Sequence, residues 1–258
     1  MAKKAFCVGI NDYPYPGYDL KGCINDIHEW SELLINHFDF PRSNVKIITD
    51  SEATKRNVIN GVKDLITKAK AGDVLVFVNA SHGSYLLDTS GDEEKFDEII
   101  CPYNVKEDEI KDDELRELFI DLPAGVKLTV ISDSCFSGTI TRVIARVRFL
   151  DPSLRGCKVI PDPWRLKKKK IEKYPESAMR EILLSGCSDN EFAHEIIYSD
   201  VHHGAMSYFA LQAIRDANYR ITYAELVKWV NDLLEKNGYR QHPQLEGRAE
   251  NKDRQIFV

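Results

Sequence analysis

A chain of 258 residues with a formal net charge of -6 and a pI of about 5.7 is not built to neutralise phosphates, which excludes nucleic acid as an expected partner. Its 43% hydrophobic and 29% charged content fits a globular protein, long enough to bury a large core as one big α/β domain or two smaller ones. No apolar run approaches the ~18 residues of a membrane span, so no membrane contact is expected.

The chain opens "MAKKAFCVGI", a basic start and a short apolar stretch, but "NDYPYPG" follows at once. Residues 5–10 are therefore expected to form a first core strand, not a leader segment. Residues 24–38 have helical periodicity, 45–49 ("VKIIT") are β-branched, and 54–70 place Val58, Val62, Leu65 and Ile66 on one helical face. Further buried strands are expected at 73–80 ("DVLVFVNA"), 127–134 ("KLTVISDS") and 181–187 ("EILLSGC"). Helices are expected at 204–217 and 222–237, and "RQIFV" at 254–258 offers a last strand. Strands alternating with helices predict a mostly parallel sheet covered on both faces. In such sheets, active residues gather at the carboxyl ends of the strands.

That rule selects two positions. "DVLVFVNA" runs into Ser81, His82 and Gly83, and "KLTVISD" runs into "SCFSG", which carries Cys135. A free thiol with a pKa of about 8.5 is mostly protonated at neutral pH, and an imidazole within hydrogen-bond reach can take its proton. The thiolate attacks a carbonyl carbon, and the imidazolium protonates the leaving amine. Gly83, next to the histidine, lets its backbone N–H approach a developing oxyanion alongside the Cys135 amide. Spacing alone leaves two readings: a Cys135–His82 dyad, or two residues that merely end their strands. The six cysteines lie far apart with no CxxC pair, which argues against a disulfide framework or structural zinc and for a reducing cytoplasm.

The ordered set "FCVGINDYPYPGYDLKGCINDIHEWSELL", "SHGS", "DSCFSG", "ILLSGCSDNEFAHE", "GAMSYFALQAI" and "QHPQLEG" resembles the metacaspases and their bacterial relatives, the orthocaspases. It covers nearly the whole chain outside the segment 142–173. The resemblance implies a caspase-haemoglobinase fold, a three-layer αβα sandwich with a mostly parallel central sheet, and cysteine endopeptidase activity. It also implies one catalytic domain over 1–258, with a p20-like part at 1–141, a connecting loop at 142–177 and a p10-like part at 178–258. Two positions depart from the family pattern: Phe136 follows the cysteine where histidine is usual, and Asn190-Glu191 replaces Asp-Gln.

Asp133 lies two residues before Cys135, so on an extended strand end it shares the cysteine's face. By resemblance, Asp26 is a second acidic residue of the specificity pocket and Cys23 a third pocket residue; helix N-terminal charge complementarity is the other reading of Asp26, and a local turn or cap that of Asp133. Two carboxylates in a concave site favour arginine or lysine before the scissile bond. The segment 142–173 carries eleven Lys or Arg against three acids and is expected to be exposed. It is either a solvated loop or a site of cleavage by the enzyme itself or by an upstream protease. Fourteen Asp or Glu fall between 88 and 121. By resemblance, Asp97, Asp112 and Asp113 are calcium-ligand candidates, but Arg142 stands at the fourth position, and no cofactor is expected to be required. The adjacent His202 and His203 are expected in a loop.

The expected protein is a monomeric peptidase acting on protein or peptide substrates. A caspase-fold scaffold that binds partners without cutting them is the competing reading. A nucleotide-binding protein is disfavoured by the lack of GxGxxG after the first strand and of GxxxxGK[ST] anywhere.

Overall fold

The computed structural model describes residues 1–87, 96–134, 148, 175–188 and 191–258. In chain order, β1 (Lys3–Gly9), α1 (Cys23–His37), β2 (Val45–Thr49), α2 (Lys55–Ile66) and β3 (Val74–Ala80) realise the expected alternation, with α2 ending four residues before the expected 70. The chain then forms β4 (Gly83–Leu87), β5 (Phe96–Ile100), β6 (Ile110–Lys111), α3 (Asp112–Ile120) and β7 (Lys127–Asp133). After the connecting segment come β8 (Ile182–Ser185), β9 (Glu195–Tyr198), β10 (Val201–Gly204), α4 (Ala205–Asp216) and α5 (Tyr223–Lys236). The last elements are β11 (Gln244–Glu246) and α6 (Ala249–Lys252).

The main sheet has the order β11-β8-β7-β3-β1-β2. All its pairs are parallel except β8 with β11. Side chains alternate across it as period-2 geometry requires. Ala5, Cys7, Val74, Val76 and Val78 pack with α1, α4 and α5 on one face, while Phe6, Val8, Leu75 and Phe77 pack with α2 and α3 on the other. The result is a three-layer sandwich. Trp30, fully buried on α1, ties α1 to α4 through its Nε1–H bond to Ser207 Oγ at 3.1 Å. Thr222 and Glu225 form a reciprocal capping box that starts α5.

Two expectations are corrected. "RQIFV" adds no strand: it contributes one bridge, Gln255 to Thr222, and buries Ile256 and Phe257. The last sheet strand is β11, supplied by "QLE" of "QHPQLEG". His202 and His203 lie not in a loop but in β10, paired antiparallel with β9. Among the described residues, no helix is long and apolar enough to cross a membrane.

Candidate active site

Strands β3 and β7 are direct parallel neighbours, with Ala80 opposite Asp133, so both end at the same rim of the sheet. His82 emerges at that rim and is buried. Its Nε2–H donates to the Tyr18 carbonyl at 2.7 Å, and its backbone N–H donates to Tyr13 Oη at 3.2 Å. Tyr13 in turn donates to the Cys101 carbonyl at 2.9 Å, and Cys101 N–H closes the loop on the His82 carbonyl at 2.9 Å. With Nε2 committed to Tyr18, Nδ1 is the basic nitrogen, and it has no hydrogen-bond partner among the described residues. Burial lowers the imidazole pKa to about 4, against the Tyr18 and Arg148 carbonyls that favour its charged form. His82 is therefore neutral at pH 7 and able to accept a proton. Cys135, Phe136 and Arg142 lie outside the described residues, as does Asn190.

Beside His82, the Gly83 N–H donates to the backbone carbonyl of Arg148 at 2.8 Å. This is the hydrogen bond an oxyanion-hole donor would make to a substrate carbonyl. The Arg148 N–H donates to the Ala193 carbonyl at 3.0 Å. Its side chain, fully buried, enters a pocket of three carboxylates. Nη2 pairs with Asp26 Oδ2 and lies 3.6 Å from Glu195 Oε1, and Nη1 lies 3.3 Å from Asp133 Oδ2. Nη1 also donates to the Asp133 carbonyl at 3.1 Å.

Each carboxylate is positioned by backbone donors. Asp26, in the first turn of α1, accepts from Gly204 N–H at 2.8 Å and faces His203 Nδ1 at 3.2 Å. Asp133 accepts from Ser207 N–H at 3.1 Å, at the start of α4. Glu195 accepts from Gly22 N–H at 2.8 Å and from Lys21 N–H. Gly204 forms part of the pocket wall because a Cβ there would sit 2.2 Å from Asp133 Oδ2 and 2.6 Å from Arg148 Nη1. Burial raises the Asp26 pKa, partly offset by the Arg148 charge. Burial opposes the charge on Arg148, but the carboxylates Asp133, Asp26 and Glu195 outweigh it and hold the guanidinium pKa well above its ordinary value. Burial also pushes the Cys23 thiol well up, so Cys23 is a neutral member of this neighbourhood.

The structure thus brings together His82, Gly83, Cys23, Asp26 and Asp133. Asp26 does not merely complement its helix; it holds a buried cation. The sequence reading missed Glu195, the Tyr18 carbonyl, His203 and Arg148. A carboxylate beginning the apolar run "EIIY" was the available signal for Glu195. The calcium candidates are placed elsewhere: Asp112 and Asp113 open α3, with Asp112 3.9 Å from Arg116. Asp97 contributes its backbone to β5, while its side chain lies outside the described residues. No group of three or more His, Cys, Asp or Glu that could hold a metal ion occurs among the described residues.

Residues 3–144 match the metacaspase peptidase C14 domain family. The chain is 36% identical to metacaspase-7 of Arabidopsis thaliana over 145 residues, covering 54% of this chain and 35% of that protein. It is 39% identical to metacaspase-1B of Neurospora crassa over 145 residues, covering 53% and 34%. Against metacaspase-2 of Arabidopsis thaliana, identity is 30% over 262 residues, 95% of this chain and 60% of the relative. The matched segments thus span about a third of the first two relatives. Among solved structures, a Geobacter sulfurreducens protein superposes with a TM-score of 0.74 at 23% identity, covering 100% of this chain and 99% of that one. Caspase-1 of Spodoptera frugiperda superposes with a TM-score of 0.61 at 10% identity, covering 95% and 86%. The three-layer sandwich is therefore the caspase fold.

Proposed function

The chain belongs to the metacaspase family of C14 peptidases, and on that premise we propose that it is a cysteine endopeptidase that cleaves protein or peptide chains after arginine or lysine. The observation that carries this reading is the convergence of Asp26, Asp133 and Glu195 on one guanidinium beside His82 and the Gly83 N–H. Three carboxylates in one desolvated pocket attract a basic side chain and repel an aspartate.

In the proposed reaction, His82 takes the Cys135 thiol proton through Nδ1, while the Tyr18 carbonyl fixes the ring by holding Nε2–H. The thiolate adds to the carbonyl carbon that follows the bound basic residue's Cα. The Gly83 N–H and the Cys135 amide receive the negative oxygen, a contribution of about 3 kcal/mol per donor in comparable sites. The imidazolium then gives its proton to the leaving amine, and water resolves the thioester. No step requires a cofactor. The working unit is a cytoplasmic monomer with parts 1–141 and 178–258 joined by 142–177, and cleavage within that connection, by the enzyme or an upstream protease, activates it.

A fluorogenic peptide with arginine before the reporter tests this. Wild-type protein is expected to hydrolyse it, Cys135→Ala to be inert, and an aspartate peptide to be left intact by both. No Cys135-dependent hydrolysis before or after prolonged incubation would instead favour a caspase-fold scaffold that binds partners without cutting them.

A further inference from the structure

The arginine in the pocket belongs to the chain itself, and it is held by more than its charge. A structural ion pair needs only the guanidinium. Arg148 is also fixed on both sides of its main chain, by its N–H on the Ala193 carbonyl and by its carbonyl on the Gly83 N–H. Nothing in charge pairing requires that carbonyl to meet the one glycine N–H next to His82. The two backbone bonds and the guanidinium contacts with Asp26, Asp133 and Glu195 place a peptide carbonyl where the reading above places the scissile one.

We propose that Arg148 is the enzyme's own first substrate: intact, it fills the specificity pocket and excludes other basic side chains, and the bond that the enzyme cuts in itself is Arg148–Phe149. This rests on the endopeptidase reading above and goes further by selecting one of the eleven basic residues at 142–173. In the step, a bond forms between the Cys135 sulfur and the Arg148 carbonyl carbon, and the bond from that carbon to the Phe149 nitrogen breaks. The proton that His82 took from the thiol passes to Phe149, which leaves as a new N-terminal amine. Water then adds to the thioester, which restores the thiol and leaves a carboxylate on Arg148. The cut removes the covalent tether on one side of Arg148. The arginine is then held only by reversible contacts, and substrates in trans compete for the pocket.

Intact mass and N-terminal sequencing of purified protein test the cleavage. Wild type is expected to give one fragment ending at Arg148 and one beginning at Phe149, and Cys135→Ala a single chain. Arg148→Ala is expected to lose this cut, and Arg148→Lys to keep it more slowly. Cys135-dependent hydrolysis of the arginine peptide accompanied by fragments beginning elsewhere, or by unchanged processing in Arg148→Ala, overturns the inference and leaves the endopeptidase reading standing. Occupancy is tested without catalysis, by the fluorescence of p-aminobenzamidine on binding. Cys135→Ala/Arg148→Ala is expected to bind the probe at least about tenfold more tightly than Cys135→Ala, whose pocket is rarely free. Equal affinity in two variants with the same melting behaviour overturns the occupancy even if no peptide is ever cleaved.

Discussion

Asp26 and Asp133 reach the same guanidinium from elements far apart in the chain, one from the first turn of α1 and the other from the end of β7. The two carboxylates take different terminal nitrogens, a fork geometry that suits arginine better than lysine. Removing one partner of a desolvated charge pair typically costs about 3 kcal/mol or more. Asp26→Asn and Asp133→Asn are therefore each expected to lower kcat/KM for an arginine peptide by about a hundredfold, mainly through KM. Unchanged turnover in Asp26→Asn would mean that substrate arginines bind elsewhere.

Glu195 sits farther out, 3.6 Å from Nη2, and also accepts the Gly22 N–H that leads into α1. Glu195→Gln keeps an oxygen for Gly22 and removes the charge. The Coulomb attraction at that separation is about 5 kcal/mol at an effective dielectric of 20, and desolvation takes back much of it. A roughly tenfold fall in kcat/KM with an unchanged melting temperature is expected, and equal losses of activity and stability would make Glu195 a structural brace instead.

The parts of this site that were legible in the sequence are those whose signal is local. His82 follows the apolar run of β3, and Asp133 takes its side from strand alternation. Arg148 carries no such signal. It is one of many basic residues in its segment, and its burial depends on Asp26, 122 residues away. The third group at His82 is a backbone carbonyl, Tyr18, which side-chain identity cannot reveal. The small β4-β5-β6 sheet was hidden because its strands are short and interleaved with the acidic residues that suggested calcium. His203 looked like half of an adjacent pair, but β10 alternates, so it turns inward to Asp26 while His202 stays more exposed.

Tyr13 Oη links the His82 N–H to the Cys101 carbonyl inside the core. Tyr13→Phe keeps the ring and removes both hydrogen bonds, at a cost of about 1–3 kcal/mol for the buried His82 N–H left unsatisfied. Chemical denaturation should register that loss. A fall in kcat with little change in KM is expected alongside it, since the backbone bearing His82 loses a fixed point.

Calcium is not part of the proposed chemistry. Asp112 lies beside Arg116, and the proposed reaction uses only protein groups and water. Hydrolysis of the arginine peptide is expected to be the same in EGTA as in millimolar calcium. A strict calcium requirement would relocate control to the acidic stretch around Asp97.

Two histidines give stability opposite pH dependences. His82 has a folded pKa of about 4 against an ordinary value of 6.5. The unfolded chain therefore takes up a proton that the folded chain refuses as pH falls below 6.5. Its contribution is present above that pH and is lost progressively toward pH 4, by about 3 kcal/mol in all. His203 is raised above 6.5, chiefly by its bond to Asp26. It contributes fully below 6.5 and loses that contribution as pH rises through its folded value. In the uncleaved Cys135→Ala background, adding His82→Gln should flatten the acid limb of the stability curve between pH 6.5 and 4. Adding His203→Gln should flatten the slope on the neutral side. Urea denaturation across pH 4 to 8.5 separates the two. An acid limb unaltered by His82→Gln would mean that the imidazole already shares its proton with solvent, and it would remove the argument that His82 waits, neutral, to serve as the base.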